Sequence, residues 1–299
     1  MAYRSIRGLA RNLLIRSASA VYRQMDWIEP ALARNRVQIL LFHDVPAGSE
    51  VRLLRLVQKL ARTHQFISYS EAVERIISGQ IDAPMLSITF DDGLYNSLRA
   101  AQVLSSAGIR ACFFVCPAGL DAASTRDEYA RYEFCRRLQI PPAGLLSWSG
   151  AESLLSLGHE IGGHSVNHWN LRLLSPSEAE VEIHRCAWAL QKNLGTASHF
   201  AWPFGGFQHF TPVAARAVFA NHFISCASGL RGCHIANGPM HPSEVCIRRD
   251  NLEIHWSIPH IEFFLARNAL ARDCRGSWPK NWIRQIHVTP DRGMTGTSA

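Results

Sequence analysis

Ser87-Ile88-Thr89-Phe90-Asp91-Asp92-Gly93 is the stretch that decides the fold, because an apolar run from Met85 ends here at two adjacent carboxylates and a glycine. The run predicts a short buried strand. Neighbouring side chains on a strand point to opposite faces, but a turn at Gly93 lets both carboxylates reach one site. Two carboxylates so close raise each other's pKa unless a cation lies between them. Taken alone, the stretch is equally typical of an ordinary strand end, where aspartate and glycine form turns.

A second stretch, Gly158-His159-Glu160-Ile161-Gly162-Gly163-His164-Ser165-Val166-Asn167-His168, favours a metal site. His164 and His168 are four residues apart and share a face if they lie on a helical turn. Neutral imidazole is a common ligand of zinc and related metals. Two histidines and one carboxylate make three protein ligands and leave a fourth position for water, as in catalytic zinc sites. Either histidine alone is also typical of a surface or capping residue, so the prediction depends on the pair.

The composition limits the class of protein. The 299 residues with 47% hydrophobic content are enough for one large core, or for one domain with extensions. No run approaches the ~20 apolar residues of a membrane span. The net charge of +7 suits an anionic partner, but no nucleic-acid-binding motif accompanies it. The eight cysteines include no Cys-x-x-Cys pair, which indicates buried free thiols in a reducing compartment and predicts a cytoplasmic location.

Residues 1–25 are basic and contain no acidic residue. Arg4, Arg7 and Arg11 share one face of a helical wheel and apolar residues lie opposite, which predicts a basic amphipathic helix. Such a helix could bind an anionic membrane surface, which would make the protein peripheral at the inner membrane. The same composition fits a mitochondrial transit peptide, and a helix that simply packs on the domain is a further alternative.

Residues 36–273 alternate between strands and helices, which predicts a parallel sheet. The expected count of seven strands suits an incomplete (β/α) barrel. The predicted strands are Val37–Phe42, Leu86–Phe90, Ala111–Val115, His159–Gly163, Ser198–Trp202, His222–Cys226 and Val245–Arg249. Residues 1–35 are then an N-terminal extension, and residues 120–147 are a long polar insertion that could act as a lid. We expect the polar tail, residues 274–299, to be disordered.

The polar residues that can carry chemistry follow different predicted strands. Those just past a strand end are His43, Asp91, Asp92, His164 and the pair Pro203-Phe204. In (β/α) barrels the working residues lie at the carboxyl ends of the strands. We therefore expect these residues to meet in one shared site.

With both motifs and this strand pattern, the chain resembles the polysaccharide deacetylase family of carbohydrate esterases. Thr89-Phe90-Asp91-Asp92-Gly93 is similar to the first motif of the family and His164-Ser165-Val166-Asn167-His168 to its second. Phe200-Ala201-Trp202-Pro203-Phe204-Gly205 is similar to the third, and Leu41-Phe42-His43-Asp44-Val45 to the opening strand of one branch. The resemblance covers roughly residues 36–255 and implies the family's distorted (β/α) barrel.

The resemblance also implies roles for the motif residues. Asp91 would be the general base, and the metal ligands would be Asp92, His164 and His168. The ion would be Zn²⁺, or another divalent transition metal such as Co²⁺ or Ni²⁺. The third motif would shape the substrate groove, which makes Trp202, Pro203 and Phe204 candidate sugar contacts. Aromatic residues in that motif are equally typical of core packing.

The remaining candidates lie outside the three motifs. Leu252-Glu253-Ile254-His255 matches the letters of a late family motif that supplies a general acid, although His255 is at least as typical of a surface histidine. His43 is a candidate for substrate binding or for the second sphere of the metal. The third motif lacks the arginine of many family members, and Arg248-Arg249-Asp250 resembles the ending of a different branch.

The activity implied is hydrolysis of an N-acetyl group, or another small acyl group, on a sugar. A lipid-linked or nucleotide-linked glycan precursor is the expected substrate, since no secretion signal is recognisable. One alternative is a catalytically silent sugar- or lipid-binding protein on the same fold. Another is a deacylase of a non-sugar amide. No nucleic-acid partner is expected.

Overall fold

A parallel sheet forms the centre of the molecule. The computed structural model describes residues 27–125, 127–141, 144–270 and 276–286. The strands of these residues are β1 (Arg36–Phe42), β2 (Gln65–Phe66), β3 (Pro84–Phe90), β4 (Ala111–Val115), β5 (Glu160–Gly163), β6 (His199–Ala201), β7 (Ser225–Ala227), β8 (Cys246–Ile247) and β9 (Asp250–Asn251).

Helices connect the strands, as parallel pairing requires. They are α1 (Ile28–Leu32), α2 (Glu50–Leu60), α3 (Tyr69–Ser78), α4 (Ser97–Ser106), α5 (Pro117–Ser124), α6 (Glu128–Leu138), α7 (Trp148–Ser156), α8 (Pro176–Leu194), α9 (Pro212–Ala220), α10 (Ile258–Ala269) and α11 (Lys280–Ile286). None of these described helices is long and apolar enough to cross a membrane.

Both faces of the sheet are buried, as the continuous apolar strands predict. Every residue of β1 is buried. Its side chains alternate between two apolar clusters: Leu40 and Phe42 belong to the larger one, with residues of α2, α4 and α8. Val37 and Ile39 belong to the smaller one, to which α3 contributes Tyr69 and other residues.

The sheet curls into a distorted half-barrel, as expected. The hydrogen-bonded row runs β8-β7-β6-β5-β4-β3-β1-β9, and β2 pairs with β3 beside it. Strands β8 and β9 lie at opposite ends of this row, yet only Arg248 and Arg249 separate them in the chain. A two-residue link can join the two ends only if the sheet has curled far enough to bring them together.

The expected count of seven strands was wrong, since the row contains eight. The predicted strand Val245–Arg249 is replaced by β8 and β9, which pair with opposite edges of the sheet. Each has only two residues, too few to produce a readable alternation of apolar and polar positions. The two-residue strand β2 was missed for the same reason.

The described parts of both expected extensions pack on the domain. Trp278 and Trp282 are 2% and 8% exposed, and they stack on each other near the end of the chain. The expectation of disorder from residue 274 is therefore wrong for residues 276–286. Although the tail is polar in overall composition, the buried apolar residues of this segment hold it against the domain. Near the N-terminus, α1 buries Ile28 and Leu32. The predicted basic helix, residues 1–25, lies outside the described residues.

The polar insertion is mostly helical. Helices α5 and α6 occupy much of residues 120–147, and Phe134 and Cys135 of α6 are buried. Asp127 caps α6 by accepting a hydrogen bond from the backbone N–H of Ala130 at 2.9 Å. The segment is thus part of the packed domain and not one long loop. Its role as a lid stays a prediction.

Candidate active site

The first motif ends β3 as predicted, but the turn starts one residue earlier. Asp91 continues the strand by donating its backbone N–H to the carbonyl oxygen of Phe42 at 3.1 Å. The next residue, Asp92, has a φ of 75°, and Gly93 has a φ of 67°. A left-handed backbone is costly for a residue with a Cβ, and such residues cluster at functional sites as well as in turns. This turn aims Asp91 and Asp92 at different partners within one site.

Asp92, His164 and His168 come together as predicted for metal ligands. The Oδ1 atom of Asp92 lies 3.4 Å from Nε2 of His164 and 3.2 Å from Nε2 of His168. One ligand atom from each residue lies within 4.8 Å of the others, and no other group of this kind occurs among the described residues. A carboxylate oxygen and two imidazole nitrogens suit zinc and similar divalent ions. The residues present therefore fit a metal ion.

A backbone contact fixes the tautomer of one of these histidines. Nδ1 of His164 lies 2.8 Å from the carbonyl oxygen of Ala201, at the end of β6. A carbonyl oxygen only accepts hydrogen bonds, so Nδ1 carries the proton. The lone pair of neutral His164 then lies on Nε2, which faces Asp92. Such support from behind the ring is usual for metal-binding histidines.

The two histidines do not lie on a helical turn. Residues 164–168 form a loop after β5, with a φ of 58° at Ser165 and 56° at His168. The hydroxyl of Ser165 accepts the backbone N–H of His168 at 3.1 Å. The four-residue spacing did predict the meeting of the two rings, but a loop with two left-handed residues achieves it.

The charges of the three residues are strongly coupled. Burial opposes ionisation of Asp92, but the hydrogen bonds and charges of the two imidazoles outweigh burial and hold its pKa far below the usual range. Burial also disfavours the charged form of His164, yet the Asp91 and Asp92 carboxylates raise the pKa of His164 above its usual value. Burial lowers the pKa of His168. The neutral imidazole that metal binding needs is therefore the favoured form of His168 near neutral pH.

Asp91 forms a buried ion pair that the sequence did not predict. Its Oδ1 and Oδ2 accept hydrogen bonds from Nη1 and Nη2 of Arg249 at 2.7 and 2.8 Å. Arg249 is fully buried, and its Nε donates to the carbonyl oxygen of Ser228 at 2.9 Å. Burial alone would raise the pKa of Asp91, but Arg249, His164 and His43 together lower it. Asp91 is therefore held as an anion in a fixed orientation.

The sequence carried one signal for Arg249. Arginine is almost never fully buried unless it is paired, and Arg249 follows the apolar residues Val245-Cys246-Ile247 with only Arg248 between. An arginine so close to a buried strand needs an anionic partner. The neighbouring sequence does not identify that partner, because Asp91 lies 158 residues away along the chain.

His43 and His255 line a cleft of about 360 Å³. Other residues along it are Asp44, Pro46, Ser49, Asn251 and Glu253. His43 follows β1 and lies close enough to Asp91 for its charge to lower the pKa of Asp91. His255 is more than half exposed, and its Nε2 lies 3.2 Å from a carboxylate oxygen of Glu253. The cleft thus offers several hydrogen-bonding groups to a ligand near His43, and the role of His255 stays a prediction.

The three candidates of the third motif have different environments. Trp202 is fully buried, stacks on Phe210 with ring centroids 4.4 Å apart, and donates its Nε1–H to the carbonyl oxygen of Gly206. Its prediction as a substrate contact was wrong, because the surrounding aromatic rings cover it. Pro203 is buried too. Phe204 is 58% exposed, and its ring centroid lies 5.0 Å from that of His168. Only Phe204 of the three is available to a ligand.

The fold and the site define a (β/α) half-barrel with a candidate metal centre at the carboxyl ends of its strands. Residues 78–219 match the family model described as polysaccharide deacetylase. The matched residues include Asp91, Asp92, His164 and His168. The predicted resemblance to the polysaccharide deacetylase family is confirmed, and Arg249 and the His43–His255 cleft lie beyond the matched residues.

Solved structures of deacetylases share the fold. The deacetylase PplD from Streptococcus pyogenes, solved in complex with acetate, is 16% identical, with 77% of this chain and 98% of that chain covered and a TM-score of 0.61. IcaB from Ammonifex degensii is 18% identical, with 78% and 98% covered and a TM-score of 0.59. A polysaccharide deacetylase from Bacillus cereus is 16% identical, with 78% and 69% covered and a TM-score of 0.58. No curated protein sequence matches the chain.

Proposed function

We propose that the protein is a metal-dependent hydrolase that removes an N-acetyl or other small acyl group from a sugar. The observation that carries the proposal is the meeting of Asp92, His164 and His168 beside the buried pair of Asp91 and Arg249. The family match over residues 78–219 supports a carbohydrate deacetylase. The donor atoms support a divalent transition metal, with Zn²⁺, Co²⁺ or Ni²⁺ as the candidates.

Amide hydrolysis needs a stronger nucleophile than water and a better electrophile than a resting amide. Bound by Asp92, His164 and His168, a divalent ion would polarise the acyl carbonyl and bring the pKa of a water molecule towards ~7. Asp91 accepts the proton of the attacking water. Arg249 occupies one lone pair on each Asp91 oxygen, and each oxygen keeps a second for that proton. The carbon–nitrogen bond then breaks, and acetate and an amino sugar leave.

The departing amine must take up a proton, because an amide anion is a very poor leaving group. His255 and His43 line the same cleft, and His43 is close to Asp91. We assign His255 as the general acid and His43 to substrate binding. A sugar in this cleft would meet the hydroxyl, carboxylate and amide groups that line it. Phe204 would contact an apolar sugar face beside His168.

We propose a lipid-linked or nucleotide-linked sugar as the substrate, on the cytoplasmic side of the inner membrane. The net charge of +7 and the basic residues 1–25 support an anionic substrate or surface. Sedimentation of the full chain with anionic vesicles tests the membrane contact, with neutral vesicles as the control. Equal sedimentation with both lipids, or with neither, would contradict it.

Two other functions predict different outcomes at the same site. A silent binding protein would bind an acylated sugar without releasing acetate, and the intact set of Asp91, Asp92, His164 and His168 argues against it. A deacylase of a non-sugar amide would share the chemistry but not the cleft contacts. Acetate or formate release from free, lipid-linked and nucleotide-linked acylated sugars and from simple amides separates these functions.

Metal content and turnover of the purified full-length protein test the proposal. We expect one divalent ion per chain, and Asp92→Asn and His168→Ala should lose metal and activity together. His184→Ala is the matched control, because His184 is exposed on α8 and bonds Asn221. The proposal fails if the wild type holds no stoichiometric metal and gains no activity with added Zn²⁺, Co²⁺ or Ni²⁺.

A further inference from the structure

Most backbone polar groups are hydrogen-bonded in the loop that carries both candidate histidine ligands. At its start, His164 donates its N–H to the carbonyl oxygen of Val115 at 2.9 Å. Cys116 donates its thiol to the carbonyl oxygen of His164. In the middle, the carbonyl oxygen of Val166 accepts the N–H of Ala118 at 3.1 Å. Neighbouring elements therefore fix the first half of the loop.

The side chains of Glu182 and Arg137 hold the second half of the loop. The carboxylate of Glu182, on α8, accepts the backbone N–H groups of Val166 and Asn167 at 3.1 and 3.0 Å, and the side-chain amide of Asn167. Arg137, at the end of α6, donates to the carbonyl oxygen of Asn167. Its guanidinium also lies over the ring of Trp169, 4.0 Å from the centroid. Glu182 and Arg137 thus bind the residues on both sides of His168.

The two imidazoles are held in different ways. His164 has its Nδ1 bonded to Ala201. Nδ1 of His168 is buried and has no hydrogen-bond partner among the described residues. His168 also has the left-handed φ of 56°, which its surroundings must maintain. Apart from its contacts with Asp92 and the ring of Phe204, the position of the His168 ring therefore depends on its backbone.

We propose that Arg137 and Glu182 are positioning residues that hold His168 where it can share a metal ion with Asp92 and His164. The proposal rests on the proposed function, since it assumes the metal. The carbonyl oxygen of Asn167 and the N–H of His168 belong to one peptide group. Arg137 binds its oxygen end and Ser165 its N–H end. This peptide sets the backbone angle at His168 and hence the direction of its ring.

Arg137 gives the sharper test, because its two conceivable effects have opposite signs. A cation near the site repels a metal ion, so removal of Arg137 for charge reasons alone should tighten metal binding. If Arg137 positions His168, its removal should weaken metal binding. Removal of Glu182 weakens metal binding on either account, so that variant serves as support only.

The experiment measures the zinc dissociation constant of the full-length protein by competition with a chelator. We expect Arg137→Gln to weaken zinc binding by about 10- to 100-fold, the usual cost of losing an outer-shell partner. Arg137→Lys should recover part of this, since lysine keeps one donor but lacks the planar face that covers Trp169. Arg136→Gln is the matched control, because the exposed Arg136 lies on the same helix and pairs with Glu133. It should stay within about twofold of the wild type.

The visible spectrum of the Co²⁺-loaded protein adds a readout of ligand geometry. It should change in Arg137→Gln and stay the same in Arg136→Gln. If Arg137→Gln does not fold, Arg137→Lys carries the test through the same two measurements. Zinc binding of the Arg137 variant that equals or exceeds that of the wild type overturns the inference while the proposed function stands. A wild type that binds no zinc overturns both.

Discussion

The two ends of the barrel both bury histidines near a carboxylate, yet they differ in chemistry. At the carboxyl ends of the strands, Nε2 of His164 and of His168 both face one oxygen of Asp92. At the opposite ends, His199 begins β6 and lies between two serines. Its Nε2 is 2.9 Å from Oγ of Ser70 and its Nδ1 is 2.9 Å from Oγ of Ser225.

The carboxylates make the difference plainer. Glu160 begins β5 and accepts hydrogen bonds from the backbone N–H and hydroxyl of Ser70, both at 3.0 Å. A hydroxyl therefore separates this carboxylate from His199, and both ring nitrogens of His199 are already bonded. Burial lowers the pKa of His199 to about 4. Histidine near carboxylate is thus not enough to indicate a metal site; two imidazole nitrogens must converge on the same oxygen, as they do at the end where barrels carry their active sites.

The largest expected effect is a difference in turnover between variants at the two ends of the barrel. Asp91→Asn should keep the metal and reduce turnover by about 10²- to 10⁴-fold, the usual contribution of a general base. Glu160→Gln, at the opposite end, should keep both metal and turnover. Metal content and acetate release of the two variants check this. Equal turnover of Asp91→Asn and wild type would remove Asp91 from the proposed mechanism.

The next effect concerns stability at the carboxyl end. Arg249→Met leaves the Asp91 carboxylate buried without its partner, which should cost about 3–5 kcal/mol in the free energy of unfolding. Adding Asp91→Asn to Arg249→Met should restore part of this loss, because no unpaired charge then remains. Denaturant unfolding of both single variants and the double variant measures the coupling. Additive losses would mean that the two side chains do not stabilise each other.

The sequence predicted the parts of this structure that local patterns determine. Most strands of the sheet, and a shared site for the residues that follow them, were predicted from apolar runs that stop at polar residues. The set of Asp92, His164 and His168 was implied by the resemblance to the family. The pairing of Arg249 with Asp91 could not be predicted, because it depends on how far the sheet curls. That curl is carried by β8 and β9, whose two residues each show no periodicity.

Two aromatic residues whose environment was predicted wrongly show a second limit of prediction from sequence. Trp202 follows β6 directly, at a position where a side chain can face either a substrate groove or the core. Three aromatic rings from later in the chain stack on Trp202 and bury it in the core. One of them belongs to Trp278, in a segment whose composition predicted disorder. The two errors are connected, because Trp278, which was expected to lie in a disordered tail, is one of the residues that bury Trp202.

The smallest expected effect tests His199 through the pH dependence of stability. The unfolded chain takes up a proton on this residue near pH 6.5, whereas the folded protein does so only near its lowered pKa of about 4. The contribution of neutral His199 to the free energy of unfolding is therefore complete above pH 6.5. It falls by about 3 kcal/mol as the pH is lowered to 4. His199→Gln keeps groups that can bond Ser70 and Ser225 but does not titrate. Between pH 7 and pH 4, the wild type should lose about 3 kcal/mol of unfolding free energy relative to His199→Gln. A difference that stays constant over this range would mean that the opposite end of the barrel does not hold its histidine neutral, and the contrast with His164 would then disappear.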